Sequence, residues 1–107
     1  MVLLMDRKQL AVDFAKSLNH PEIRKIILFG SVARGDDDKY SDIDILILTN
    51  KKSDKNLISD DIYGKVMDIL IKTGEYISVK IKTITHYKKY KDFSFFSNVD
   101  NEGVVLG

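Results

Sequence analysis

Two aspartates enter an otherwise apolar run at alternate positions, Asp42-Ile43-Asp44-Ile45-Leu46-Ile47-Leu48. If this segment is extended, the two-residue period of a strand points both carboxylates the same way, about 6.5 Å apart along the backbone. Two anions so placed repel, and unless both reach water one of them must take up a proton. A divalent cation removes the conflict, and carboxylate together with phosphate oxygens is the ligand set that Mg²⁺ prefers. A turn suited to phosphate lies just upstream. Gly30-Ser31 follows a short apolar strand, where free backbone N–H groups can grip an anion and a side chain at Gly30 would obstruct its approach. Ser31 adds a hydroxyl donor, Arg34 stands one helical turn later within reach of a triphosphate, and Gly35 lets the chain turn away.

The chain has 107 residues, 44% of them hydrophobic, which suits one domain over 1–107 with a single core. Seventeen basic and sixteen acidic residues leave a net charge of +1, so no overall field points to a nucleic-acid polymer. The absence of cysteine excludes disulfides and thiolate zinc sites. The apolar run in MVLLMDRKQL is too short for a signal peptide or a membrane span, and a soluble cytoplasmic protein is expected.

Leu10, Ala11, Phe14, Ala15 and Leu18 recur at helical spacing behind Asp6, a candidate N-cap, and predict a helix over 6–18 that His20 and Pro21 end. A strand follows over 24–29, a single helical turn over 31–35, and a second strand over 42–48. After a polar connection at 50–55, Leu57, Ile58, Ile62, Val66, Ile69 and Leu70 predict a helix to Thr73, capped by Gly74. Residues 76–84 alternate as a half-buried strand. Phe93, Phe96 and Val99 suggest a short helix over 92–102, closed by Gly103 before Val104-Val105-Leu106. The expected architecture is α/β (α+β) in the order α-β-β-α-β-α: a three-stranded mixed sheet with helices on one face and the chemistry on the other.

Phe29-Gly30-Ser31, Arg34-Gly35 and Ser41-Asp42-Ile43-Asp44 together resemble the signature of the minimal nucleotidyltransferase family, a branch of the polymerase-beta-like superfamily. Chain length, element order and the closing Phe-Phe-Ser-Asn-Val-x-x-Glu-Gly extend the resemblance over almost the whole chain. The resemblance implies ATP held with Mg²⁺, one or two ions, and attacked at the α-phosphate by a hydroxyl, with release of pyrophosphate. Asp42 and Asp44 would be the catalytic metal ligands. Gly30 and Ser31 would hold the β- and γ-phosphates, with Arg34 and Ser41 completing the nucleotide-binding set. Many members are antitoxins paired with a HEPN-domain toxin, and some transfer AMP to a toxin tyrosine. With no second domain to enclose an acceptor, another protein or a dimer mate should supply it.

One departure stands out. The family's third carboxylate comes from the following strand, where the matching face here offers Ser78 or Lys80, and alignment favours Ser78. Glu75 is a substitute only if that strand starts earlier or bends. The departure keeps open a catalytically silent antitoxin that works by occlusion. The stretch of Lys80, Lys82, Lys88, Lys89 and Lys91 with Tyr87 and Tyr90 keeps open an RNA-directed subunit, although water is the simpler neighbour for these side chains. Asp36-Asp37-Asp38 reads as a solvated loop, Asp68 as a surface residue, His20 and His86 as isolated surface histidines, and Phe93, Phe95 and Phe96 as core or partner interface.

Overall fold

The computed structural model of the chain describes residues 6–50 and 55–107, apart from the side chains at 55–57, 94 and 95. Its elements are α1 (Arg7–Ser17), β1 (Ile23–Phe29), α2 (Gly30–Arg34), β2 (Ile43–Thr49), α3 (Lys55–Thr73), β3 (Ile77–Thr83), α4 (Ile84–Tyr90), α5 (Ser94–Glu102) and β4 (Val104–Val105). The MVLLM start and most of the polar connection at 50–55 lie outside the described residues, as do the side chains of Leu57 and Phe95.

The apolar run behind Asp42 becomes β2, an interior strand of a four-stranded sheet ordered β3-β2-β1-β4. β1 runs antiparallel to it, with Phe29 opposite Asp44 and Ile27 opposite Leu46. On its other edge β3 is parallel, with Ser78 beside Asp44 and Lys80 beside Leu46. The crossover through α3 makes the parallel pairing possible, as the long apolar helix in the sequence requires.

Three expectations are corrected. The sheet has four strands, because Val104 and Val105 pair antiparallel with Leu28 and Ile27 of β1. Gly103 permits the abrupt passage from α5 into β4: its N–H bonds Val99 O at 2.7 Å, and a Cβ there would press on that carbonyl and on Ile27. Next, residues 84–90 form the helix α4, capped by Thr83 Oγ1, which accepts from His86 N at 3.0 Å. Finally, helices pack against both faces of the sheet. Ile43, Ile45 and Ile47 meet Phe14 of α1 and Ile58, Ile62 and Val66 of α3. On the reverse face Ile27, Leu46 and Leu48 meet Phe96 and Val99 of α5, with Tyr87 and Tyr90 of α4 at the margin. A strand apolar at consecutive positions needs cover on both sides. Only the end of the reverse face that carries Asp42 and Asp44 is left for chemistry.

Local signals otherwise act as their chemistry dictates. Asp6 Oδ1 accepts from Gln9 N at 3.1 Å and caps α1. Gly74, at φ +77°, ends α3 with its N–H on Leu70 O at 2.9 Å. Asp68 is exposed and pairs with Lys72, one turn later, at 2.9 Å. None of the described helices is long and apolar enough to cross a membrane.

His20 is not isolated. Its Nε2 lies 2.6 Å from Asp61 Oδ2 of α3, and Lys65 Nζ reaches the same oxygen at 3.5 Å while donating to Ser17 O at 2.6 Å. This cluster ties the end of α1 to α3. The His20 hydrogen bond, helped by the charge of Lys65, holds the Asp61 carboxyl below its ordinary value. The unfolded chain therefore takes up this proton first, so the stabilisation is complete above the ordinary aspartate range and is lost as pH falls through the lowered value. Asp61→Asn should destabilise the protein at neutral pH and match the parent in acid below that range. Urea titrations at the two pH values check this, and an equal loss at both would refute it.

Candidate functional site

β1 delivers the backbone to Gly30 opposite the carboxylate strand. Gly30 has φ +76°, a conformation that side chains rarely adopt, and a Cβ there would fall well inside contact distance of Asp44 Oδ2. Glycine is thus required for conformation and for space. Buried Val32 anchors the five-residue α2 to the core, so the half-buried Ser31 and the amides of the first turn are held beside Asp44.

Asp42 sits one residue ahead of β2, which starts at Ile43 and not at residue 42, and its side chain is exposed while Asp44 is half-buried. Burial pushes the Asp44 carboxyl above its ordinary value, and the negative charge of Asp42 pushes it further, against the opposing charges of Lys80 and Arg34. Two carboxylates repelling each other where one has lost water match the chemistry of a divalent cation site. No third His, Cys, Asp or Glu groups with them among the described residues. The β3 neighbour of Asp44 is Ser78, and Lys80 follows on the same face. Two carboxylates leave most of an octahedral Mg²⁺ shell to water and phosphate oxygens, and this element favours such a shell.

Arg34 stitches α2 to neighbouring acids, with Nε 3.2 Å from Asp36 Oδ2 and Nη1 2.9 Å from Glu102 Oε2 at the end of α5, while its charge still acts on Asp44. Ser41 is engaged in the loop: its Oγ accepts from Asp38 N at 3.0 Å and lies 3.2 Å from Asp38 Oδ1, which also accepts from Tyr40 N at 2.8 Å. These bonds shape the turn that leads into Asp42.

The acidic loop is only partly solvated. Arg7 of α1, with a side chain 11% exposed, places Nη1 3.0 Å from Asp37 Oδ2 and also donates to the Asp38 carbonyl, while its Nε lies 2.9 Å from Glu75 Oε2. Glu75 is therefore committed to Arg7, ahead of a strand that begins at Ile77, and does not stand in for a third carboxylate. Sequence reasoning passed over Arg7. The signal was a cation in the first turn of a helix, where the dipole disfavours it unless acids elsewhere compensate.

Other expected residues are dispersed. Tyr87 and Tyr90 turn toward the second hydrophobic cluster, Phe96 is buried there, and Phe93 is exposed. His86 is exposed, with its ring 4.7 Å from that of Tyr90. The basic stretch thus presents lysines outward and most of its aromatics inward.

Known proteins are similar to this chain. A family model described as a nucleotidyltransferase domain matches residues 9–102. Two Methanocaldococcus jannaschii proteins named as protein adenylyltransferases are similar. MJ0604 is 40% identical over 99 residues, 89% of each chain. MJ0141 is 37% identical over 90 residues, 79% of this chain and 80% of its own. Among solved structures, a chain of a toxin–antitoxin crystallised with AMP-PNP superposes with a TM-score of 0.58 at 18% identity, over 96% of this chain and 73% of that one. A chain from the complex of tri-AMPylated Shewanella oneidensis HEPN toxin with MNT antitoxin gives 0.50 at 19% identity, over 96% and 72%. At these identities the structural likeness establishes a common fold.

Two outcomes follow from the geometry. With its pKa raised on folding, Asp44 makes stability fall as pH rises from the ordinary aspartate range through the raised value. Asp44→Asn should therefore melt at a higher temperature than the parent at neutral pH without divalent ions or nucleotide, with the gap closing in acid; an equal or lower melting temperature would refute this. Arg7→Ala strands Asp37 and Glu75 and should cost about 1.5–3 kcal/mol in chemical denaturation, with Arg7→Lys recovering only part because it lacks the planar fork.

Proposed function

Since this chain belongs to the nucleotidyltransferase domain family, we propose that it binds ATP between Gly30 and the aspartate pair and transfers AMP to a tyrosine hydroxyl of a partner protein, a HEPN-domain toxin. The observation that carries this reading is the approach of the Gly30 backbone to Asp44, which leaves room there for no side chain. Amides at the start of α2 and the Ser31 hydroxyl position the β- and γ-phosphates, and the Arg34 charge faces the same region. Asp42 and Asp44 would hold Mg²⁺, which when bound neutralises charge on the triphosphate and the departing pyrophosphate. The acceptor oxygen bonds to the α-phosphorus, the bond from that phosphorus to the bridging oxygen of the β-phosphate breaks, and the hydroxyl proton passes to water. In-line transfer of this kind needs positioning and charge neutralisation more than covalent help, which suits a chain of this size. The names of the adenylyltransferase relatives and the shared fold with toxin–antitoxin chains support the choice of AMP and of partner.

A second reading has its own support. Ser78 stands beside Asp44 where the family resemblance leads one to expect a carboxylate, which favours a module that binds nucleotide and neutralises its toxin by occlusion.

Incubation with α-phosphate-labelled ATP, Mg²⁺ and the protein encoded by the adjacent gene should label that protein. Asp42→Asn combined with Asp44→Asn should reduce the label by at least about 100-fold. Neutralisation of the toxin without label selects the occluding module, and label persisting in the double variant removes the site assignment.

A further inference from the structure

A groove of about 580 Å³, used by none of the steps above, runs along β3 away from the aspartates, between Tyr63 of α3, Lys80 and Lys82 of β3, His86 of α4 and Phe96 of α5. β3 is the end strand of the described sheet, so no strand pairs with its outer row of main-chain groups among the described residues. Ser78, Lys80 and Lys82 alternate on the face that carries Asp44, with Ser78 in register with it. Lys80, at the head of the groove, lies two residues along this face from Ser78, the neighbour of Asp44. Lys82, and Lys88 and Lys91 of the α4 end, make no ion pair among the described residues.

We propose that this edge docks an extended acidic segment of the acceptor protein, which pairs with β3 and carries its hydroxyl residue two positions from the first of two alternating acids, as in tyrosine-x-acid-x-acid. The proposal rests on the transfer reading and deepens it by naming the acceptor's chemistry. An added strand brings every second side chain to one face, so acids two residues apart fall beside Lys80 and Lys82, and the next position on that face falls beside Ser78. From there Asp44 is two strand spacings away, about 10 Å, so a long hydroxyl side chain such as tyrosine reaches back where serine falls short. The contact closing the edge is weak: Tyr63 donates to Val79 O at 3.5 Å, a bond that an incoming N–H replaces.

The charges also select against other occupants. A second copy paired edge to edge would bring lysine against lysine, the usual protection of an exposed strand. A phosphate chain entering the groove would find no use for a strand edge, whose main-chain donors and acceptors match a peptide.

The test uses the full chain without ATP or Mg²⁺ and a fluorescein-labelled peptide, Tyr-Gly-Glu-Gly-Glu, with its lysine twin Tyr-Gly-Lys-Gly-Lys. Anisotropy should show the glutamate peptide binding at least about tenfold more tightly. Lys82→Glu should weaken it, with melting temperature and ATP affinity unchanged. Equal affinity for the twins, no binding of either, or tighter binding of oligouridine than of the glutamate peptide overturns the proposal. Addition of labelled ATP and Mg²⁺ separates the two readings. Binding without transfer leaves the docking edge standing and removes the transfer reading, whereas transfer indifferent to the acids does the reverse.

Discussion

Between the backbone at Gly30 and the carboxylate of Asp44 there is room for a hydrogen atom and nothing larger. That contact exists because β1 and β2 run antiparallel with Phe29 opposite Asp44, so the first residue beyond β1 must turn across the carboxylate. Gly30 makes the turn at positive φ, Val32 fastens the short helix that follows, and the chain then has only residues 35–42 in which to return to β2. The loop is held at two points. Arg7 binds Asp37 and the Asp38 carbonyl from α1, and Arg34 binds Asp36 and Glu102 from α2.

Charge is distributed around this contact with a clear division. The acids at the periphery, Asp36, Asp37, Glu75 and Glu102, each have an arginine within ion-pair distance. Asp42 and Asp44 have none among the described residues, and Asp44 raises the energy of the folded chain through its burial and the repulsion of Asp42. A fold that neutralises its incidental acids and leaves one pair opposed concentrates its electrostatic strain where a ligand can relieve it. Lys80 moderates that strain from β3, and the groove beyond it continues the positive field away from the site.

Much of this was legible in the residues. Helical spacing located α1 and α3, Asp6 and Gly74 marked helix ends, and the alternating stretch after Tyr76 became β3. The two aspartates and the glycine turn were identified as one constellation, and the structure brings them together. Less legible was α4, whose seven residues carry lysines and a β-branched start and look like a strand running into a polar tail. The two-residue β4 is too short for alternation to register, and it exists because β1 offers an edge beside it. The cover on both faces was foreshadowed by the unbroken apolarity of Ile45–Leu48, which one packed face alone would not need.

Local chemistry therefore determined what each segment can be: an apolar strand entered through two alternating aspartates, a glycine where only glycine fits, and helices with one apolar stripe. Tertiary structure decided which partners those segments meet. Arg7 lies 30 residues from Asp37 and 68 from Glu75, His20 lies 41 from Asp61, and Arg34 lies 68 from Glu102. No periodicity spans such separations, because each pair is joined by the packing of helices on the sheet and not by the geometry of one element. The same packing made Asp44 a strained group and left Asp42 in water, although the two residues look alike in the chain.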